Sequence, residues 1–574
     1  MTEGTNASPA GGSVLDQMAH WTGVAGQMQQ LMMEHGVAPA LKLMDDAAAA
    51  LPPRGMAPVA APQPAWWDEA LAAWRALLPA ADGASADRRF KDPAWQQPLF
   101  DLIRQSYLAI ADQLLKGVEA IELPDPRQSE QLRFAARSFV DAMSPANFVA
   151  TNPQVLQRIV ETGGANLVTG LERMLDDIGR GQIRHVGEDA FELGRNIAAT
   201  PGKVIRETPL YQLIHYTPTT AQVHAVPLLI FPPWINRFYI LDLSPQKSFV
   251  RWAVEQGFSV FMVSWRSADA SMADVGMDDY VLNGQRDAID AVRGLLGVPS
   301  VHTVGYCVAG TALSMLLAWM AARGEADKVA SATFFTAQVD FSEAGELKLF
   351  VDDAQLAMFQ GLATDGALDG RYMAATFNLM RGRDLIWNYV VNNYLLADDY
   401  PPFDLLHWNG DVTNLPAGWH GRYLSDFYRD NLLVTPGALS VGGVPIDLGL
   451  VKTPSYVQAG REDHIAPPES VWKLGHHFAG PLRFVLAGSG HVAGVVNPPA
   501  AGKYQYWLNP DTAAATLDAF IAGAVEHKGS WWPDWRDWLA ERSGRMVAAT
   551  RARMPGRGRL KPIEDAPGRY VKTR

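Results

Sequence analysis

Cysteine is nearly absent: Cys307 is the only one in 574 residues. A single thiol excludes an intramolecular disulfide framework and fits a reducing, cytosolic setting. It leaves no Cys/His spacing for a structural zinc site, so no metal is expected. The chain opens on Met1-Thr2-Glu3-Gly4-Thr5-Asn6, without a basic start or an apolar core, and no secretion signal is read there. Long apolar runs are missing too. The best, from Thr311 to Ala322, is too short to span a bilayer. Charged residues make up 19%, and a net charge of −12 argues against broad nucleic-acid affinity. The exception is residues 541–574, where ten Lys/Arg face three Asp/Glu and read as a solvated basic tail.

What is present is a 48% apolar chain long enough for two or more folding units. Residues 1–65 read as a flexible N-terminal segment, weakly helical at first and then an Ala/Pro-rich linker from Ala47 to Pro64. Residues 66–200 carry helical spacing almost throughout, as in Tyr107-Ile110-Leu114 and Leu132-Ala136-Phe139-Val140. Helix starts are signalled at Ser144-Pro145 and Asn152-Pro153, because proline suits the first turn. An all-helical N-terminal domain is expected.

Near residue 200 the period changes to two, and Lys203–Thr208 with Tyr211–Tyr216 reads as a hairpin. Short apolar runs follow at 226–231, 259–265, 301–304, 332–335, 454–459 and 482–486, separated by helical patterns. Continuous apolar strands alternating with helices predict an α/β domain over 201–574, with a mostly parallel sheet covered on both faces. Between about 345 and 445 the alternation stops. That stretch is rich in Trp, Tyr, Asn and Met and is too apolar for a solvated loop, so it is read as a cap or lid insertion.

Cys307 sits in Gly305-Tyr306-Cys307-Val308-Ala309-Gly310, between a β-prone run and a strongly helical one. A strand, a sharp turn carrying a nucleophile, then a helix is the nucleophile elbow of the α/β-hydrolase fold, with sulfur in place of the usual oxygen. Glycines flank it because the strained turn leaves no room for bulk. That fold places an acid after a late strand and a histidine after the last one. Gly460-Arg461-Glu462-Asp463 and Gly488-Ser489-Gly490-His491 fill these positions in that order. His464 points elsewhere, and His476 and His477 lie in a helical stretch as surface or packing residues. A free thiol is only a few per cent thiolate at neutral pH. An imidazole oriented by a carboxylate would take its proton. The backbone N–H groups of Val308 and of Trp234, in the loop Pro232-Pro233-Trp234-Ile235-Asn236, are the candidate oxyanion hole.

Many separate motifs, in one order from about residue 88 onward, make the chain resemble a class I polyhydroxyalkanoate synthase. They include Arg88-Arg89-Phe90-Lys91-Asp92-Pro93-Ala94-Trp95, Pro232-Pro233-Trp234-Ile235-Asn236, Gly305-Tyr306-Cys307-Val308, Arg461-Glu462-Asp463-His464 and Trp531-Trp532-Pro533-Asp534-Trp535. The chain departs from the family at Ala309, where a glycine is usual. The resemblance implies a Cys307–His491–Asp463 triad and polymerisation of (R)-3-hydroxyacyl-CoA, with 3-hydroxybutyryl-CoA favoured and CoA released. It also implies no cofactor beyond the coenzyme A carried by the substrate, a homodimer, and residence on cytoplasmic polyester granules among granule-associated proteins. A thioesterase or polyester depolymerase using the same cysteine is the alternative, and a granule protein with a vestigial elbow is a third.

Overall fold

The computed structural model describes residues 87–363 and 365–573. The expected flexible segment and linker at 1–65 lie outside the described residues. Contacts divide the chain into two compact units, one of residues 87–185 with Ala375–Pro401, the other of Val186–Ala374 with Pro402–Arg574.

The first unit is helical, with helices Pro98–Glu119, Pro126–Ala142, Pro153–Thr162 and Ala165–Arg180. Asn152 caps the third, its side-chain oxygen accepting the Gln154 N–H at 3.0 Å with Pro153 at the first position. Ser144-Pro145 opens only a three-residue turn, and Ser144 makes no side-chain cap. Residues 375–401, expected as part of the insertion, join this unit for identifiable reasons. Arg158 pairs with Asp398 at 2.7 Å, and the Tyr394 hydroxyl donates to Asp177 at 2.6 Å. Gly170 lies so close to the Tyr394 carbonyl that a Cβ there would stand 1.6 Å from its oxygen. The helix and the segment therefore meet backbone to backbone.

In the second unit, eleven strands among the described residues form one sheet. They are β1 (Gly202–Glu207), β2 (Tyr211–Tyr216), β3 (Leu228–Phe231), β4 (Val260–Trp265), β5 (Val301–Tyr306) and β6 (Val329–Phe335). The set continues with β7 (Ser455–Gly460), β8 (Leu482–Ala487), β9 (Gln505–Leu508), β10 (Val525–Lys528) and β11 (Glu564–Asp565). Their spatial order is β10-β9-β8-β7-β6-β5-β3-β4-β2-β1-β11. Strands β3 to β8 are mutually parallel and the outer strands antiparallel. The parallel strands are almost wholly buried, which is why their sequences run apolar without alternation. The expected strands are all present, and β9, β10 and β11 extend the set.

Most basic side chains of the tail are exposed, as expected, but its backbone is anchored. Glu564 and Asp565 pair with Val204 and Lys203 as β11, and the buried Arg553 donates to the carbonyls of His224 and Ala225 and to Ser259 Oγ. No helix among the described residues is long and apolar enough to cross a membrane.

Candidate active site

β5 delivers Cys307 at the C-terminal edge of the sheet, and helix Val308–Ala322 leaves immediately after it. Cys307 has φ 52° and ψ −128°, outside the regions a side chain ordinarily favours. Its N–H is held by the Phe335 carbonyl of β6 at 2.9 Å, and its carbonyl accepts the Gly310 N–H at 2.8 Å. The two glycines face each other across the turn. A Cβ on Gly305 would meet Gly310 Cα at 2.6 Å, and one on Gly310 would meet the Ala337 Cβ at 2.4 Å. Ala309, by contrast, is the second residue of the helix, so its methyl group sits in helical backbone that any residue adopts.

The acid follows β7. Asp463 is buried, and its Oδ1 accepts the N–H groups of Ile465 at 2.8 Å and Ala466 at 2.9 Å. Its Oδ2 faces His491 Nδ1 at 2.8 Å. His491 follows β8 through Gly488-Ser489-Gly490, and its imidazole lies near enough to Cys307 for the sulfur's charge to act on it. Burial pushes this imidazole toward neutrality. The Asp463 charge, then that of Cys307, outweighs burial and raises it to about 10. At neutral pH the arrangement therefore favours the protonated imidazole of His491. The Tyr306 hydroxyl donates to the His491 carbonyl at 2.9 Å. Sequence reading did not single out Tyr306, although it is the residue directly before the nucleophile.

The loop after β3 starts beside the elbow, since Phe231 is in register with Gly305. Trp234 is buried there, stacked on Tyr280 at 4.0 Å, and its carbonyl accepts the Thr413 hydroxyl at 2.5 Å. Neither the Trp234 nor the Val308 N–H has an acceptor among the described residues. Val308 is the first residue of its helix, where amides have no intrahelical acceptor. His477 pairs with Asp340 at 3.2 Å and His476 is exposed, so both lie outside this constellation.

In the second unit the insertion forms packed helical segments rather than loops. Trp419, Tyr423, Phe427 and Tyr428 belong to the same buried cluster as Val308 and Ala309. A cavity of about 610 Å³ lies between helix Asp353–Leu362 and residues 417–429, lined by Gln360, Arg422 and Arg429 among others. It includes none of Cys307, Asp463 and His491.

Fold and site together define an α/β-hydrolase-fold protein with cysteine at the nucleophile position. Residues 228–498 match the model of that fold, and residues 86–253 match the N-terminal model of poly-beta-hydroxybutyrate polymerase. The chain is 45% identical to the poly(3-hydroxyalkanoate) polymerase subunit PhaC of Cupriavidus necator, over 88% of this chain and 86% of that one. With the Rhizobium meliloti protein of the same name it shares 44% identity, over 85% and 80%. The chain belongs to the poly(3-hydroxyalkanoate) polymerase family.

Proposed function

We propose that the protein polymerises (R)-3-hydroxyacyl-CoA, with 3-hydroxybutyryl-CoA the favoured monomer, into polyester and releases CoA. The observation that carries this reading is the Cys307–His491–Asp463 constellation at the elbow of a chain from this family. The Cys307 sulfur attacks the acyl carbonyl. A C–S bond to Cys307 forms as the C–S bond to CoA breaks, and the His491 imidazolium returns its proton to the departing thiolate. One thioester replaces another at little change in free energy, so the enzyme-bound acyl group stays reactive. The N–H groups of Val308 and Trp234 are the donors assigned to the oxyanion.

His491 is then neutral. It takes the proton of a 3-hydroxyl whose oxygen attacks the acyl-Cys307 carbonyl, forming an ester C–O bond as the C–S bond breaks. Engagement of both Asp463 oxygens, by two backbone N–H groups and by His491, supports His491 rather than Asp463 as this base. The buried aromatic cap would keep water off the acyl-enzyme. On this reading the protein needs no cofactor beyond the coenzyme A of its substrate. It works as a homodimer on the surface of cytoplasmic polyester granules, in contact with granule-associated proteins.

The test is to follow CoA release and turbidity together after adding (R)-3-hydroxybutyryl-CoA to the purified protein. Release with growing turbidity and insoluble polyester is expected. Release with free hydroxy acid and a clear solution would instead establish a thioesterase, and neither signal would leave a structural protein.

A further inference from the structure

The loop that follows β3 is gripped by its carbonyls. Pro232 accepts the Trp265 indole N–H at 2.8 Å. The buried Thr413 hydroxyl lies between two carbonyls of the loop, 2.5 Å from that of Trp234 and 2.8 Å from that of Ile235. The Arg237 carbonyl accepts the Trp408 indole N–H at 2.7 Å. Asn236 bridges Val412 in the antiparallel sense, and the Thr413 N–H reaches the Ile235 carbonyl at 3.4 Å. Apart from Trp265, these partners all belong to residues 408–413, where helix Asp404–Gly410 of the insertion ends. The peptide that carries the Trp234 N–H is thus flanked by two whose carbonyls, Pro232 and Trp234, are held from outside the loop. Peptide units are rigid planes, so holding both neighbours sets the direction of the N–H between them.

Arg237 adds a buried charge to this grip. Its side chain is 2% exposed, yet the guanidinium is engaged by three partners. Nε donates to Asp411 Oδ1 at 3.3 Å, Nη1 to the Tyr570 carbonyl at 3.2 Å and Nη2 to the Thr573 carbonyl at 2.8 Å. Asp411 also accepts the Tyr239 hydroxyl at 2.8 Å, from the turn Phe238–Leu241 that continues the loop. A planar fork meets one carboxylate and two carbonyls at fixed angles, which the compact ammonium of a lysine does not reproduce. The loop, the insertion and the segment around Tyr570 therefore meet on one side chain, three residues beyond Trp234.

We infer that Thr413 and Arg237 are positioning residues, which clamp this loop so that the Trp234 N–H keeps its place at the oxyanion. They also tie that place to residues 408–413 of the insertion. A donor serves a developing oxyanion only from the right position, and a misplacement of about 1 Å costs about a hundredfold in rate. The clamp thus governs attack at the thioester carbonyl. It has no part in activating the Cys307 sulfur, which falls to His491 and Asp463 on other loops.

This inference rests on the reading of Cys307 as the acyl carrier, so Cys307→Ala is assayed alongside. Two rates are compared in the full-length protein and its variants. One is steady-state CoA release from (R)-3-hydroxybutyryl-CoA, which passes through an oxyanion. The other is alkylation by iodoacetamide, in which the sulfur displaces iodide from a saturated carbon and no oxyanion forms. Cys307 is the only cysteine, so the second rate reads that sulfur alone. Arg237→Lys and Thr413→Val are each expected to lose roughly tenfold in kcat with KM within about twofold, while alkylation stays within about twofold of wild type. Thr413→Ser keeps the hydroxyl and is expected to run closer to wild type than to Thr413→Val. A kcat within about twofold of wild type, a loss expressed in KM, or alkylation that falls in step with turnover would each overturn the inference. So would a Thr413→Ser as slow as Thr413→Val. If one of Arg237→Lys and Thr413→Val does not fold, the other decides the question by the same criteria. Wild-type turnover that survives in Cys307→Ala would defeat the nucleophile reading instead.

Discussion

Tyr306 and His491 are joined through the backbone: the buried Tyr306 hydroxyl donates to the His491 carbonyl at 2.9 Å. The residue before the nucleophile therefore fixes the turn that carries the base. Because β5 and β8 are separated in the sheet by β6 and β7, this contact spans two strands. Replacing Tyr306 with Phe keeps the ring and deletes the donor. A loss of about 1–2 kcal/mol in stability is expected, with roughly tenfold slower CoA release. Urea unfolding and initial rates measured on one preparation check both; unchanged rates would show that the His491 turn holds itself.

Among the described residues, Asp463 is the only charge paired with His491 Nδ1. Asp463→Asn keeps the shape but removes the anion that opposes burial of the imidazolium. CoA release is expected to fall by about 10³-fold or more with KM little changed, in line with loss of the orienting carboxylate in other triads. A loss below tenfold would remove Asp463 from the triad.

The elbow glycines differ from Ala309 in what surrounds them. A methyl at Gly305 or Gly310 collides with atoms at 2.6 and 2.4 Å, so each Ala variant should lose about 1–3 kcal/mol and nearly all activity. Ala309→Gly should keep most activity and cost no more than about 1 kcal/mol, as glycine does within a helix. Thermal melts of the three variants separate these outcomes, and an active Gly310→Ala would contradict the packing.

Alkaline pH should weaken the fold through His491. Its folded value is raised from 6.5 to about 10, so its stabilising contribution is complete below about pH 6.5 and is lost as pH rises through about 10. Cys307→Ala removes one of the raising charges, and its loss should begin at lower pH. Melting temperatures of wild type and variant across about pH 6 to 10.5 test this; curves parallel over the whole range would sink it.

The central strands and the triad positions were legible because each left a local mark. Leu228–Phe231 and Val260–Trp265 are unbroken apolar runs, and Asp463 and His491 each follow such a run through a glycine-containing turn. Val525–Lys528 was not legible, because Glu, His and Lys at a sheet edge take their conformation from the neighbouring strand rather than from an apolar pattern. Arg553 looked like part of a solvated charge run. Only its carbonyl partners, more than 290 residues away in sequence, show otherwise. Tyr306, Arg237 and Thr413 were missed for the same reason: their roles are defined by partners brought together by the fold, and nothing adjacent in sequence announces them.

The pairing of β11 with β1 joins Lys203 to Asp565 across 362 residues. At synthesis rates of about 5–20 residues per second, β1 waits roughly 20–70 s for the two-residue strand that covers the Lys203–Val204 end of its free edge. Throughout that interval the nascent chain presents an open row of backbone donors and acceptors, the feature that invites strand pairing between molecules. The second unit is therefore a protein whose risk of aggregation is concentrated during its own translation, and changes that slow emergence of the last fifty residues should lower soluble yield before they lower activity.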